Sequence, residues 1–96
     1  MPEYATHWRR VVGSGVVYDG PCVLRDIIFD PHATTQYVEI YDGRDSTSGI
    51  LFARIDRESH ATWQMNLGRG VLFGRGIYVA SEHREDAVTV AFNPCD

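Results

Sequence analysis

The side chains able to do covalent or metal chemistry are few and far apart. Cys22 is the foremost nucleophile candidate, because a thiolate attacks once a base or cation has lowered its pKa. That role needs a histidine folded in beside it, and the four available are His7, His32, His60 and His83. They lie in the N-terminal segment or in turn-forming stretches, and no pair has the spacing of zinc ligands on a helix. A lone apolar-flanked Cys is more often a small core residue. Ser14 lies in Gly13-Ser14-Gly15, which lacks the Gly-x-Ser-x-Gly spacing of a nucleophile elbow. The stretch Asp42-Gly43-Arg44-Asp45-Ser46-Thr47-Ser48-Gly49 carries the oxygens that a hard cation such as Ca²⁺ takes. It lacks the alternating acidic positions and closing Glu of a calcium loop, and Asp-Gly is the natural tip of a hairpin. No catalytic residue, cofactor or metal is therefore assigned, and the chain is expected not to be an enzyme.

With no reactive cluster, the residues left to consider are those that make contacts. Tyr4, Trp8, Arg9 and Arg10 fall within the first fifteen residues, ahead of a Gly13-Ser14-Gly15 hinge. Aromatic and Arg side chains anchor protein interfaces, so residues 1–15 are expected to form an arm laid against a neighbour. A frayed terminus or a plain first strand is the simpler alternative. Arg69 and Arg75 stand in Gly68-Arg69-Gly70 and Gly74-Arg75-Gly76, where glycine turns or bulges would project them towards a neighbour's carboxylates. Glu82-His83-Arg84-Glu85-Asp86 reads as a charged hairpin tip.

The elements that must position these residues are strands. Alternation predicts them over 16–19, 22–29, 36–41, 50–56, 62–67, 77–81 and 87–92. Asp19-Gly20-Pro21, Asp30-Pro31, Asp42-Gly43, Gly49, Gly68-Arg69-Gly70 and Asn93-Pro94 mark the turns between them. Val38 and Ile40, then Leu51, Ala53 and Ile55, then Trp63, Met65 and Leu67 should face the core. Ile77, Val79, Val88, Val90 and Phe92 continue that face, whereas Tyr18, Tyr37, Tyr41, Phe52 and Tyr78 fall off it. On a helix Trp63, Met65 and Leu67 would scatter around the axis, so a helix is excluded there. Strands at this spacing predict an all-β fold, a small antiparallel, jelly-roll-like β-sandwich over residues 16–96.

Composition bounds the partners. The chain has 96 residues, enough for one core but not two. A formal charge of −4 argues against direct binding to nucleic acid backbones. All nine basic residues are Arg, which suits paired contacts with carboxylates and equally fits the codon bias of a GC-rich genome. The longest apolar runs, Ile50 to Ala53 and Ile77 to Ala80, are far too short for a membrane helix, and no secretory signal is expected. Cys22 and Cys95 form no disulfide framework; both reduced is the default, with a bridge between them the alternative.

Several stretches resemble a loose family of small bacteriophage virion β-sandwich proteins. They are Gly20-Pro21-Cys22-Val23-Leu24-Arg25-Asp26-Ile27-Ile28, Val38-Glu39-Ile40-Tyr41-Asp42-Gly43, Leu51-Phe52-Ala53-Arg54-Ile55, Leu72-Phe73-Gly74-Arg75-Gly76-Ile77-Tyr78-Val79 and Ala87-Val88-Thr89-Val90-Ala91-Phe92. Ile77 stands where that family more often has leucine. The resemblance implies a structural protein of the virion, either capsid cement or decoration, or a head–tail or tail component. Its implied partners are its own copies, as a homo-oligomer, and the major capsid protein or another virion protein, with no membrane. A carbohydrate- or receptor-binding module is the alternative, since jelly rolls also host such sites.

Overall fold

The computed structural model describes residues 6–31, 36–57 and 61–95. Eight strands account for most of them: β1 His7–Val12, β2 Gly15–Asp19, β3 Cys22–Asp30, β4 Gln36–Asp42, β5 Ile50–Arg57, β6 Trp63–Phe73, β7 Gly76–Ser81 and β8 Ala87–Pro94. They form two four-stranded antiparallel sheets, ordered β1-β8-β3-β6 and β2-β7-β4-β5. The pairing follows one rule. Strand 1 lies with 8, 2 with 7, 3 with 6 and 4 with 5, as in one long hairpin whose tip is the β4–β5 loop. Rolling that hairpin sets β8 against β3 and β7 against β4, which completes two sheets in jelly-roll order.

Alternation explains why the sheets meet face to face. Leu24, Ile27, Phe29, Val88 and Val90 from one sheet, and Val17, Val38, Ile40, Ile77 and Val79 from the other, are buried in a common core. Each contributes roughly 1.5–3 kcal/mol of burial before chain entropy is counted. The residues that alternate with them, such as Ile28, Glu39, Tyr78 and Thr89, turn to the outer faces, as period two requires.

Four β-bulges break the simple count, one of them at Arg25, the extra residue of β3 where Leu24 pairs with Phe92 and Asp26 with Ala91 of β8. In β2 the extra residue is Val17, so Val17 is fully buried and Tyr18 also turns in, 5.2 Å from the Phe92 ring. In β5 the extra residue is Phe52: Ile40 pairs with Ala53, and Tyr41 with Leu51. Phe52 therefore swings inward to meet the edge of Phe73 at 5.1 Å, and Leu51, expected in the core, is left half exposed. In β6 residues 67–70 loop out opposite Arg25, with Gly68 and Gly70 at φ 61° and 95°. The expected Gly68-Arg69-Gly70 turn is thus a bulge, and β6 runs on to Phe73. Trp63, Met65 and Leu67 do face inward, but only half buried, because β6 is an edge strand with one neighbour.

The expected arm over residues 1–15 is corrected from His7 onward. His7–Val12 pairs with β8 along its whole length, Val11 packs on the core, and His7 stacks on Phe92 at 5.7 Å. A strand with apolar and aromatic contacts on its inner face has more to gain from the sheet than from solvent. Gly13-Ser14 is a tied corner, not a hinge. The Gly13 amide donates to the Asp86 carbonyl (2.8 Å), Ser81 Oγ donates to the Gly13 carbonyl (2.8 Å), and the Ser81 amide donates to Ser14 Oγ (2.9 Å).

Candidate interaction surfaces

Of the six residues expected to make an interface, the five that are described do not converge on one site. Tyr4 lies outside the described residues. Trp8, Arg9 and Arg10 are consecutive on β1, so alternation sends them to opposite faces. Trp8 and Arg10 point outward and are exposed, with Trp8 at 55%. Arg9 points inward across the gap between the sheets, and its Nη1 donates to the Val17 carbonyl at 3.4 Å. Arg69 rides the bulge on β6, at the far edge of the same sheet, and is exposed. Arg75 is committed within the chain: its Nη1 donates to the Ser48 carbonyl at 3.0 Å, clasping the β6–β7 turn to the β4–β5 loop.

That clasp belongs to a larger knot at one end of the sandwich. The Asp42 carboxylate accepts from three successive amides, Gly74 (3.2 Å), Arg75 (2.9 Å) and Gly76 (3.3 Å). Consecutive amides pointing to one spot make a small anion-binding nest, and here a side chain of the same chain fills it. Gly76 reaches this geometry with φ 147°, and a Cβ there would press on the Tyr18 carbonyl oxygen. Asp45 closes its own loop, accepting from the Thr47 amide (3.0 Å), the Ser48 amide (2.7 Å) and Ser48 Oγ (2.9 Å). Those Ser48 bonds hold the Asp45 carboxyl below the ordinary carboxylate range. Arg44 pairs with Asp19 at 3.0 Å, exposed and so worth little. The carboxylates that suggested a cation loop are thus taken up by N–H and O–H donors. Among the described residues no three His, Cys, Asp or Glu side chains gather as metal ligands would.

Cys22 sits at the same end, buried, with Pro94 and Phe73 as its strand partners. Burial first, then the nearby Cys95 and Asp42, pushes its thiol up to about 12. It stays protonated at neutral pH and is a poor nucleophile. Both cysteines are free thiols.

The outer faces hold what the alternation count missed. On the β2-β7-β4-β5 sheet, Val16, Tyr78, Tyr41 and Leu51 stand side by side in one row across all four strands. Beside them the Arg54 guanidinium lies over the Tyr37 ring at 3.9 Å, and Tyr41 donates to Glu39 at 3.1 Å. On the β1-β8-β3-β6 sheet, Trp8, Ala91, Asp26 and Asn66 form a comparable row. Asp26 is only 9% exposed, and both its oxygens accept from Gln64 Nε2 (3.3 and 3.1 Å). Ile50, Leu51 and Leu72 are 50–68% exposed, although each lies in an apolar run that would pass for core. The bulges that turn Phe52 and the β6 ladder out of phase are the missing signal. No family model, no curated protein and no solved structure matches the chain.

Proposed function

We propose that this chain is a non-enzymatic structural protein of a bacteriophage virion, a capsid cement or decoration protein that binds its own copies and the assembled shell. A head–tail or tail component is the variant of the same reading. The observation that carries the contact role is the set of large apolar side chains left on strand edges and outer faces. Trp8, Val12, Val16, Ile50, Leu51 and Leu72 are each 38–68% exposed on a small domain. Where such side chains lie together, as Val16 and Leu51 do in one row with Tyr78 and Tyr41, contiguous apolar surface supports docking. Asp42, Asp45 and Arg75, by contrast, are spent on holding turns. The virion itself is supported by the family resemblance of the strand and turn motifs alone, and an acidic module suits the outside of a shell better than contact with packaged DNA.

The test combines light scattering on the purified protein with cosedimentation on assembled capsids. A symmetric oligomer, or a monomer that pellets only with particles, is the expected result. A monomer that ignores every assembled particle would defeat the proposal.

One observation favours a second reading, a carbohydrate- or receptor-binding module. Trp8 lies on the outer sheet face in one row with Ala91, Asp26 and Asn66, which sets an aromatic ring on the same face as hydrogen-bonding groups. A glycan array without hits would remove it.

A further inference from the structure

Of the four edges of the two sheets, three are guarded. The β2 edge carries the Val17 bulge, with Arg9 donating to the bulged carbonyl. The β5 edge carries the Phe52 bulge. The β6 edge is interrupted by the loop-out at 67–70. Bulges of this kind keep foreign strands from adding to a sheet. β1 has none: its six residues pair with β8 in unbroken register, and among the described residues no strand hydrogen-bonds to its other side. The outward side chains of this open strand read apolar, cationic, apolar. Trp8 is 55% and Val12 54% exposed, and Arg10 between them has no ion-pair partner among the described residues.

We propose that β1 is a strand-acceptor edge. Its occupant is an extended segment of a partner protein that presents an acidic residue between two apolar ones at alternate positions. The partner backbone would satisfy the open amides and carbonyls of β1. Its apolar side chains would cover Trp8 and Val12, and its carboxylate would lie across from Arg10. Charge decides against a second copy of this chain. In the antiparallel register that sets Trp8 of one copy against Val12 of the other, Arg10 falls opposite Arg10, and like charges directly across a ladder repel. An acidic strand turns that repulsion into attraction. The inference deepens the docking role proposed above by naming its edge and the partner's chemistry.

The experiment titrates the intact protein with the capped peptide Thr-Val-Thr-Glu-Thr-Val-Thr and with its Lys-for-Glu counterpart, following backbone amide shifts by NMR. At about 1 mM peptide, where even a millimolar site is half filled, the amides of His7–Val12 and their β8 partners should shift with the Glu peptide. The Lys peptide should bind about tenfold more weakly, and Arg10→Glu should reverse the preference. No shift on β1, equal binding of the two peptides, or a β1–β1 dimer that peptide does not displace would each overturn the proposal. Cosedimentation with particles while β1 ignores the peptides would sink this edge and leave the docking role standing. Peptide binding by a protein that ignores particles would do the reverse.

Discussion

Asp42 ends β4 and reaches across to a turn more than thirty residues further along the chain, where it takes the place of a bound anion. Removing its carboxylate leaves the amides of Gly74, Arg75 and Gly76 to water or to nothing. Asp42→Ala should therefore cost about 1–3 kcal/mol in urea unfolding, and Asp42→Asn, which keeps one acceptor oxygen, distinctly less. An unchanged midpoint in both variants would contradict the clasp. Cys22 makes a second residue-scale prediction. Its folded-state pKa of about 12 lies above the ordinary 9.0, so the folded protein holds this proton more tightly than the unfolded chain does. Stability from this group is fully present below pH 9 and falls as pH rises towards 12, by up to about 1.4 kcal/mol per pH unit. Denaturant titrations at pH 8, 9.5 and 10.5 should show this loss, and Cys22→Ala should flatten it. The sequence marked Asp42-Gly43 as a hairpin tip, and it is one. What Asp42 binds was not legible, because local spacing carries no information about a partner brought in by the roll of the sheets.

At the scale of elements, the seven strands read from alternation are all present, and the outward and inward faces hold wherever the ladder is regular. They fail where a residue is inserted. Leu51, Ala53 and Ile55 look like one face in the sequence, yet the Phe52 bulge leaves Leu51 outside and brings Phe52 against Phe73. A bulge has no fixed sequence signature unless a glycine marks it, as Gly68 and Gly70 do in β6. Phe52→Ala should accordingly destabilise by about 2–4 kcal/mol. Leu51→Ala, the substitution that simple alternation would rank as worse, should stay within about 0.5 kcal/mol. Thermal or chemical denaturation of the pair checks this, and equal losses would mean the phase change is wrong. Alternation alone favours an arm over the alternative of a plain first strand for β1, because His7, Arg9 and Val11 form its inner face and two of those three are polar. Trp8 and Arg10 are exposed on its outer face.

Across the whole molecule, each early strand waits for a late one. β1 pairs with β8 and β2 with β7, so most of the chain must be made and gathered before either sheet can close. Closing such long loops is slow, and refolding in the range of milliseconds to seconds is the expected outcome. Stopped-flow fluorescence of the two tryptophans would measure it, and microsecond folding would be inconsistent with this topology. The same winding leaves Thr6 beside Asn93, with Asn93 Nδ2 donating to Thr6 Oγ1 at 3.3 Å, two residues from Trp8. An affinity tag or fluorescent fusion joined at Thr6 or Asn93 thus emerges from one shared corner, beside the Trp8 end of β1. Pull-downs made with tags at those positions would blind the assay to that side. Label-free detection would leave it clear.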